Sequence, residues 1–427
     1  MLAVTVILLG SAGASAAGPA VQVGQPFSNQ PPSIAVDSSG NALIAWNDDK
    51  DLGGADNFVQ YCVIAVGGTG CKASGKLVPA DGAKYIDGVQ AIADGGIDVI
   101  LADVFGAQGT EAGDYEPEQE WQSTDGGATF GIVNGGKSVS SANLSADTGP
   151  LNAVIVPGTG VLGFGWETAG GPPTFNAFPL VSPPECSKAS PCSFATLEPN
   201  TNPDVLTNGG GSLAAEAGAS PGVLGVYSTL FDDGGPFSCP NNTPDGMAFA
   251  YGAGNQSANN SYIVSPGTTN SAWRVPATQG ECGVQYFTVG GGPAGFGILG
   301  DNEGTATTFY QRFDPANITF AGMPKVMVSN QGEQNPSISQ DGSGGIYATY
   351  MNGGSGGPIV LSYSADAGNH WSGPNVLHPY DGLDHPKSAV NGAGQGWVTW
   401  TNGGSVFAES FQAADSTVPP PTVTTTQ

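Results

Sequence analysis

A chain of 427 residues with 36 acidic and 10 basic side chains carries a formal charge of −26. That balance excludes a nucleic-acid groove, which needs a basic stripe, and disfavours adsorption to anionic membranes. With 68 Gly and 33 Pro and no apolar residues at helical spacing over three turns, the fold is expected to be all-β.

In chain order, the apolar run Leu2–Gly10 is followed by the small residues Ser11–Gly18. This is the pattern of a signal peptide over 1–17, cut after Ala16 or Ala17, although the usual leading basic residues are missing. The run is short for a transmembrane helix, so the expectation is a secreted protein, extracellular or cell-wall associated, without integral membrane contact. A phrase then appears that keeps returning: Pro32-Ser-Ile-Ala-Val-Asp-Ser-Ser-Gly-Asn-Ala-Leu-Ile-Ala-Trp46. It consists of a short apolar strand, a Gly-bearing turn and a second apolar strand ending in an aromatic. Close copies span Pro336–Tyr350 and Pro386–Trp400, and looser ones Val89–Ala102, Leu151–Trp166, Leu213–Tyr227 and Gln285–Leu299. A lone hairpin cannot cover both of its faces, so the copies must stack.

The pattern predicts a β-propeller over 18–412 with seven four-stranded blades, six being the alternative. The fourth blade is the weak point, because residues 230–258 read as an insertion rich in Gly, Asn and Pro. The last copy is followed by one clear strand, Ser405–Ser410. The stretch Ala20–Gln25 is left over to close the ring from the N-terminal side and remove the open edges. Residues 413–427 read as a disordered Pro/Thr tail or linker.

Six cysteines agree with export. Of fifteen possible pairings, sequence-local ones are simplest: Cys62 with Cys71, Cys186 with Cys192, Cys239 with Cys282. No Cys/His cluster has zinc spacing.

Two segments carry a more specific signal. Ser123-Thr-Asp-Gly-Gly-Ala-Thr-Phe130 fits the Asp box, Ser/Thr-x-Asp-x-Gly-x-Thr-Trp/Phe. Ser364-Ala-Asp-Ala-Gly-Asn-His-Trp371 fits it with His370 in place of the Thr. Ser123, Asp125, Gly127, Thr129, Phe130, Ser364, Asp366, Gly368 and Trp371 are the expected structural positions. In both copies the Asp bridges a tight turn, Gly takes a left-handed conformation and the aromatic plugs between strands. The chain thus resembles the sialidase-like, Asp-box (BNR repeat) propellers. That resemblance implies the architecture and places the boxes on the face away from a sialidase site. It does not bring sialidase activity. Those enzymes clamp the substrate carboxylate with three arginines, whereas this chain has only Arg274 and Arg312, both expected in outer strands.

The loops at the propeller mouth are expected to present carboxylates and amides with almost no cation. Asp103 and Glu167, leaving adjacent blades at equivalent positions, are the candidate acid and base of a glycosidase. Asp48, Tyr115, Trp121, Asp301, Glu303, Asp384 and His385 are the candidate ligand-binding residues. Asp48, Asp49 and Asp51 are a weak candidate calcium site, lacking the EF-hand pattern; no other cofactor is expected. The leading expectation is a monomeric, non-catalytic module recognising an extracellular glycan or protein. The alternative is a hydrolase or lyase acting on a neutral polysaccharide.

Overall fold

The computed structural model describes residues 18–25, 31–48, 57–80, 85–94, 96–105, 118–136, 152–156, 161–166, 174–179, 195–197, 205–216, 222–231, 246–253, 273–274, 287–302, 307–317, 323–329, 333–353, 357–379 and 383–412. Among these residues the strands form seven four-stranded antiparallel sheets. Blade 1 comprises Ser33–Val36, Ala42–Asp48, Phe58–Ile64 and Ala73–Leu77. Blade 2 comprises Tyr85–Asp94, Ile97–Phe105, Glu118–Ser123 and Gly131–Ile132. Blades 3, 4 and 5 begin at Asn152, Val205 and Phe287. Blade 6 comprises Glu333–Gln340, Ile346–Asn352, Ile359–Ser364 and Asn375–His378. Blade 7 takes Leu383–Val390, Gln395–Asn402, Ser405–Gln412 and, outermost, the N-terminal strand Val21–Gly24.

The innermost strands of consecutive blades touch in one unbroken cycle from blade 1 to blade 7 and back. The molecule is therefore a seven-bladed propeller, and the six-bladed alternative falls. Val21 lies opposite Ala408 and Gln22 opposite Phe407, so the N-terminal strand closes the ring as the leftover stretch implied. Blade 4 is complete. Its third strand, Gly246–Ala253, lies inside the segment expected to be an insertion, where Met247, Phe249 and Tyr251 alternate with Ala and Gly.

Blades stack on both faces, and the second strands reflect it: Ala42–Asp48 is buried along its whole length with no polar alternation. The recurring aromatic is the wedge. Trp46 packs with Val406 and Ala408 of blade 7, Tyr350 with Leu299 and Tyr310 of blade 5, and Trp400 with Tyr347 and Ile359 of blade 6. Each is at most 2% exposed and faces the preceding blade. Burying a side chain of this size contributes about 2–3 kcal/mol.

At the end of the ring opposite the mouth, the turn between first and second strands is locked by its own side chain. Asp37 Oδ1 accepts from the N–H groups of Ser39 and Asn41, both at 2.8 Å. Asp341 Oδ1 does so from Ser343 and Gly345 at 2.8 and 2.9 Å, and Asn391 Oδ1 from Ala393 and Gln395 at 3.0 Å each. These are Asx turns repeated around the ring. They also join blades: Gly342 N–H donates to Gly392 O at 3.0 Å, and Asn391 Nδ2 to Asp37 O at 3.0 Å.

Both predicted box segments connect third and fourth strands, and their bonding is matched. Ser123 Oγ donates to Asp125 Oδ1 (2.8 Å) and accepts from Gly127 N–H (2.9 Å). Ser364 Oγ does the same with Asp366 (3.0 Å) and Gly368 (2.9 Å). The N–H groups of Thr129 and His370 each reach the box Asp at 2.9 Å. Thr129 Oγ1 completes the first box by donating to Asp125 Oδ2 at 2.7 Å; His370 Nδ1 takes that place on Asp366 at 2.5 Å. Bonds from the Thr129 hydroxyl and amide hold the Asp125 carboxyl down at about 2. The box aromatic packs edge-on against a third-strand Tyr of the preceding blade: Phe130 on Tyr61 at 4.7 Å, Trp371 on Tyr310 at 5.2 Å. Each box is thus a latch between blades.

Candidate functional site at the mouth of blades 1 and 2

The mouth is the end where second strands leave and first strands enter. There, the first strands of blades 2, 4, 6 and 7 are bulged, between Ile86/Gly88, Thr207/Gly211, Gln334/Ser337 and Asp384/Lys387. Pro336 and Pro386 sit within two of these bulges. Proline has no N–H to give a ladder, so a bulge is where an inner strand can hold one. His385 lies in the last bulge, beside Asp384, which is opposite Thr401.

Asp103 lies within a strand, opposite Gly88 on one side and Glu118 on the other. Blade 2 thus sets two carboxylate-bearing positions across from each other near its mouth end. Asp301 lies in the second strand of blade 5, opposite Thr308. Glu167, Tyr115, Glu303, Asp49 and Asp51 lie outside the described residues, as do Cys186, Cys192, Cys239 and Cys282. Cys62 and Cys71 form the expected disulfide. Arg274 and Arg312 lie in the fourth strand of blade 4 and the third of blade 5, both outer strands. Trp121, expected to bind ligand, is instead 2% exposed and packs in the core shared by blades 1 and 2.

Asp48 ends the second strand of blade 1, nearly buried. Its Oδ2 accepts from Gln60 Nε2 at 2.5 Å, while Oδ1 is buried without a hydrogen-bond partner. Its neighbour Asn47 points the other way and donates from Nδ2 to Ile86 O of blade 2 at 2.8 Å. Gln119 reaches into the same seam from blade 2, its Oε1 accepting from Ala80 N–H at 3.1 Å and its Nε2 left unpaired. Asn57, 1% exposed, immediately precedes the strand Phe58–Ile64, with neither amide atom bonded. Continuing the pairing of Val59 with Leu77 two residues towards the mouth sets Asn57 across from Pro79, beside Ala80. Among the described residues, no group of three or more His, Cys, Asp or Glu side chains is placed to hold a metal ion.

Two acidic groups of blade 2 and one lysine of blade 7 were not among the candidate site residues. Glu120 is fully buried; Oε1 accepts from Gln122 Nε2 at 2.6 Å, Oε2 has no partner, and burial pushes its carboxyl up to about 7. Asp98, at the opposite end of the blade, is raised to about 6 by burial and by the carboxylates of Asp37 and Asp125. Lys387 occupies the inner-strand place that Ser33 and Ser337 hold in blades 1 and 6, and desolvation lowers its pKa. Alternation places such residues on one face of a strand or the other, but gives no sign that both faces are covered.

No family model matches the chain, and no curated protein matches it. Solved structures do. An α-L-arabinofuranosidase, Arb93A from Fusarium graminearum, aligns with a TM-score of 0.50 at 12% identity, over 93% of this chain and 98% of that one. A polysaccharide lyase of family PL25, an ulvan lyase with bound -[GlcA(1-4)Rha3S]-, aligns at 0.53 and 14% identity, over 92% and 95%. A puromycin hydrolase aligns at 0.50 and 12%, over 88% of this chain and 51% of that one. At such identities the likeness concerns the fold. Among the described residues, no helix is long and apolar enough to cross a membrane.

Proposed function

We propose that this chain is a secreted or cell-surface propeller of the sialidase-like, Asp-box class that recognises a neutral extracellular glycan without transforming it. One observation carries the reading. At the mouth end of blades 1 and 2 the amides Asn47, Asn57, Gln60 and Gln119 stand beside the carboxylate positions Asp48, Asp103 and Glu118, and Asn57 and Gln119 hold hydrogen-bonding capacity that the protein itself leaves unused. Uncharged donors and acceptors match sugar hydroxyls, and the charge of −26 repels polyanions. Two solved neighbours named for polysaccharide or arabinoside chemistry support a glycan as the ligand; the oligosaccharide in the ulvan lyase is anionic, so the neutral character rests on the charge of this chain alone. The matched box turns support the propeller class. Asp48, with its unpaired buried oxygen, keeps calcium as a ligand to be tried alongside the sugar.

A second reading rests on a different observation. Asp103 stands opposite Glu118, and Glu120, two positions along the same strand, has its carboxyl raised to about 7. A carboxyl that keeps its proton near neutrality is what the acid in cleavage of a glycosidic bond needs.

The test is retention on immobilised neutral polysaccharides, measured beside reducing-sugar release, with and without calcium and with a sialylated conjugate as control. Retention without release supports recognition. Release that disappears in Asp103→Asn or Glu120→Gln, with retention kept, would replace recognition by hydrolysis. Neither retention nor release on any neutral polymer would sink both.

A further inference from the structure

Blade 1 carries no Asp box, and the place where one belongs holds the disulfide. The third–fourth turn of blade 6 runs for eight residues from Ser364 to Trp371, and that of blade 1 runs for eight from Ile64 to Cys71. The two frames share their closing bond, although the second left-handed glycine of the boxes, Gly127 or Gly368 at φ of 75° and 84°, has no counterpart at Gly68. Ser372 N–H donates to Tyr363 O at 2.8 Å after the box, and Lys72 N–H donates to Val63 O at 2.7 Å after Cys71. The left-handed residue falls at the same step: Gly126 in blade 2, Ala367 in blade 6 and Gly67 in blade 1, at φ of 71°, 58° and 69°. Within this frame Val66 stands where the boxes have Asp125 and Asp366, and it is 51% exposed, with no carboxylate to bridge the turn. Cys71 stands where they have Phe130 and Trp371.

The boxes latch onto the preceding blade, and for blade 1 that blade is closed by the N-terminal strand. Cys62 packs in one apolar cluster with Val21, Val406 and Ala408 of blade 7, against which Val23 also packs. Cys71 Sγ lies 3.9 Å from the Val23 carbonyl oxygen. The bridge thus sits at the one seam of the ring joined by strands from opposite ends of the chain.

We propose that Cys62–Cys71 is a covalent replacement for the Asp-box latch and that its redox state governs how firmly the N-terminal strand closes the ring. Cys62 is fully buried, while Cys71 is exposed, so an external dithiol reaches the bridge through Cys71. Its thiolate attacks Cys71 Sγ, the S–S bond breaks, and Cys62 leaves as a thiolate that takes up a proton. The second thiol then resolves the mixed disulfide, leaving two cysteine thiols and an oxidised dithiol.

Hydrogen exchange on the intact protein tests this, with dithiothreitol as reductant and the Cys62→Ser/Cys71→Ser double variant as the bridge-specific arm. In both, exchange at Val21–Gly24 and in its partner strand Ser405–Gln412 should speed up by about a hundredfold. Exchange in the second strand of blade 6 should not change. A third variant keeps Cys62→Ser and replaces residues 64–71 with the eight residues of the blade 6 box; it should restore most of the lost protection. Unchanged exchange at Val21–Gly24 in the reduced protein and the double variant overturns the proposal. So does an equal rise across blade 6, because the bridge would then serve global stability only, and so does a box graft that rescues nothing.

Discussion

The seam between blades 6 and 7 and the seam between blades 1 and 2 are built from equivalent strands, yet they treat buried polar groups differently. In the first, Ser337 Oγ accepts from Ser388 N–H at 3.0 Å, and Thr349 Oγ1 donates to Ser388 Oγ at 2.6 Å. His378 meets Glu409 at 3.0 Å across the same seam, and Ser339 Oγ is its one unpaired buried side-chain atom among the described residues. In the second, Ser33 Oγ accepts from Ala91 N–H at 2.9 Å and Asn47 clasps Ile86 O. Towards the mouth, however, both amide atoms of Asn57 and the Nε2 of Gln119 go unpaired. A buried polar atom without a partner costs about 1–3 kcal/mol. The blade 6–7 sector is thus a finished scaffold, and the blade 1–2 mouth keeps buried donors and acceptors unspent.

The largest effect is expected at Gly368, in the turn that latches blade 6 onto blade 5. Its φ is 84°, and a Cβ there would lie 2.0 Å from Tyr310 Cε1, so Gly368→Ala combines a left-handed penalty with overpacking. We expect a loss of about 3 kcal/mol in denaturant unfolding; a loss below about 1 kcal/mol would mean the box latch is looser than its geometry. A paired substitution comes next. Ser388→Ala removes the hub of the blade 6–7 network and should cost about 1–3 kcal/mol, whereas Asn57→Leu removes two unpaired groups and should be neutral or slightly stabilising. If Asn57→Leu costs as much as Ser388→Ala, the two seams are alike and the amides are already satisfied in solution.

A pH titration addresses the blade 1–2 sector. Asp98 is raised to about 6 by burial, Asp37 and Asp125, and Glu120 to about 7 by burial, against the bond from Gln122. A carboxyl whose folded pKa exceeds its unfolded value binds protons better when folded. Its stabilising contribution is complete below the unfolded pKa, near 4, and is lost as pH rises through the folded one. Melting temperature should therefore rise by a few degrees on acidification from about pH 7.5 to about pH 5. Asp98→Asn with Glu120→Gln should flatten that slope. Below about pH 4 the trend reverses, as Asp366 and Asp341, held below the ordinary range by their turn hydrogen bonds despite burial, begin to protonate.

How much of this was readable beforehand depends on whether a feature is local. The recurring hairpins, the turns Ser123–Phe130 and Ser364–Trp371, the Cys62–Cys71 bridge and the closing strand are patterns of about fifteen residues or fewer, and each was visible in the sequence. The third strand of blade 4 was hidden because Gly246–Ala253 is flanked by turn-forming residues on both sides. The Gly-bearing turns between first and second strands were seen, but not that Asp37, Asp341 and Asn391 lock them or that these turns join blades. At the mouth the difficulty was orientation. Asn47 and Asp48 are adjacent acidic or amide residues in the sequence, and the strand sends one towards blade 2 and the other away from it. Only the stacking of blades decides which one meets a neighbour's carbonyl and which keeps an oxygen unpaired.

The smallest effect concerns the two boxes themselves. His370 replaces the Thr of the motif, and its Nδ1 binds Asp366 Oδ2 as the Thr129 hydroxyl binds Asp125 Oδ2. The imidazole is half exposed, and an exposed pair of this kind is worth about 0–1 kcal/mol. His370→Thr restores the motif and keeps the bond, so it should move the melting temperature by no more than a degree or so. His370→Ala removes the bond to Oδ2 but leaves the N–H of residue 370 on Oδ1, and should cost a little more. If His370→Thr instead destabilises the chain as strongly as Gly368→Ala, the ring of His370 is doing something the first box does not need. The equivalence of the two latches would then be one of backbone only.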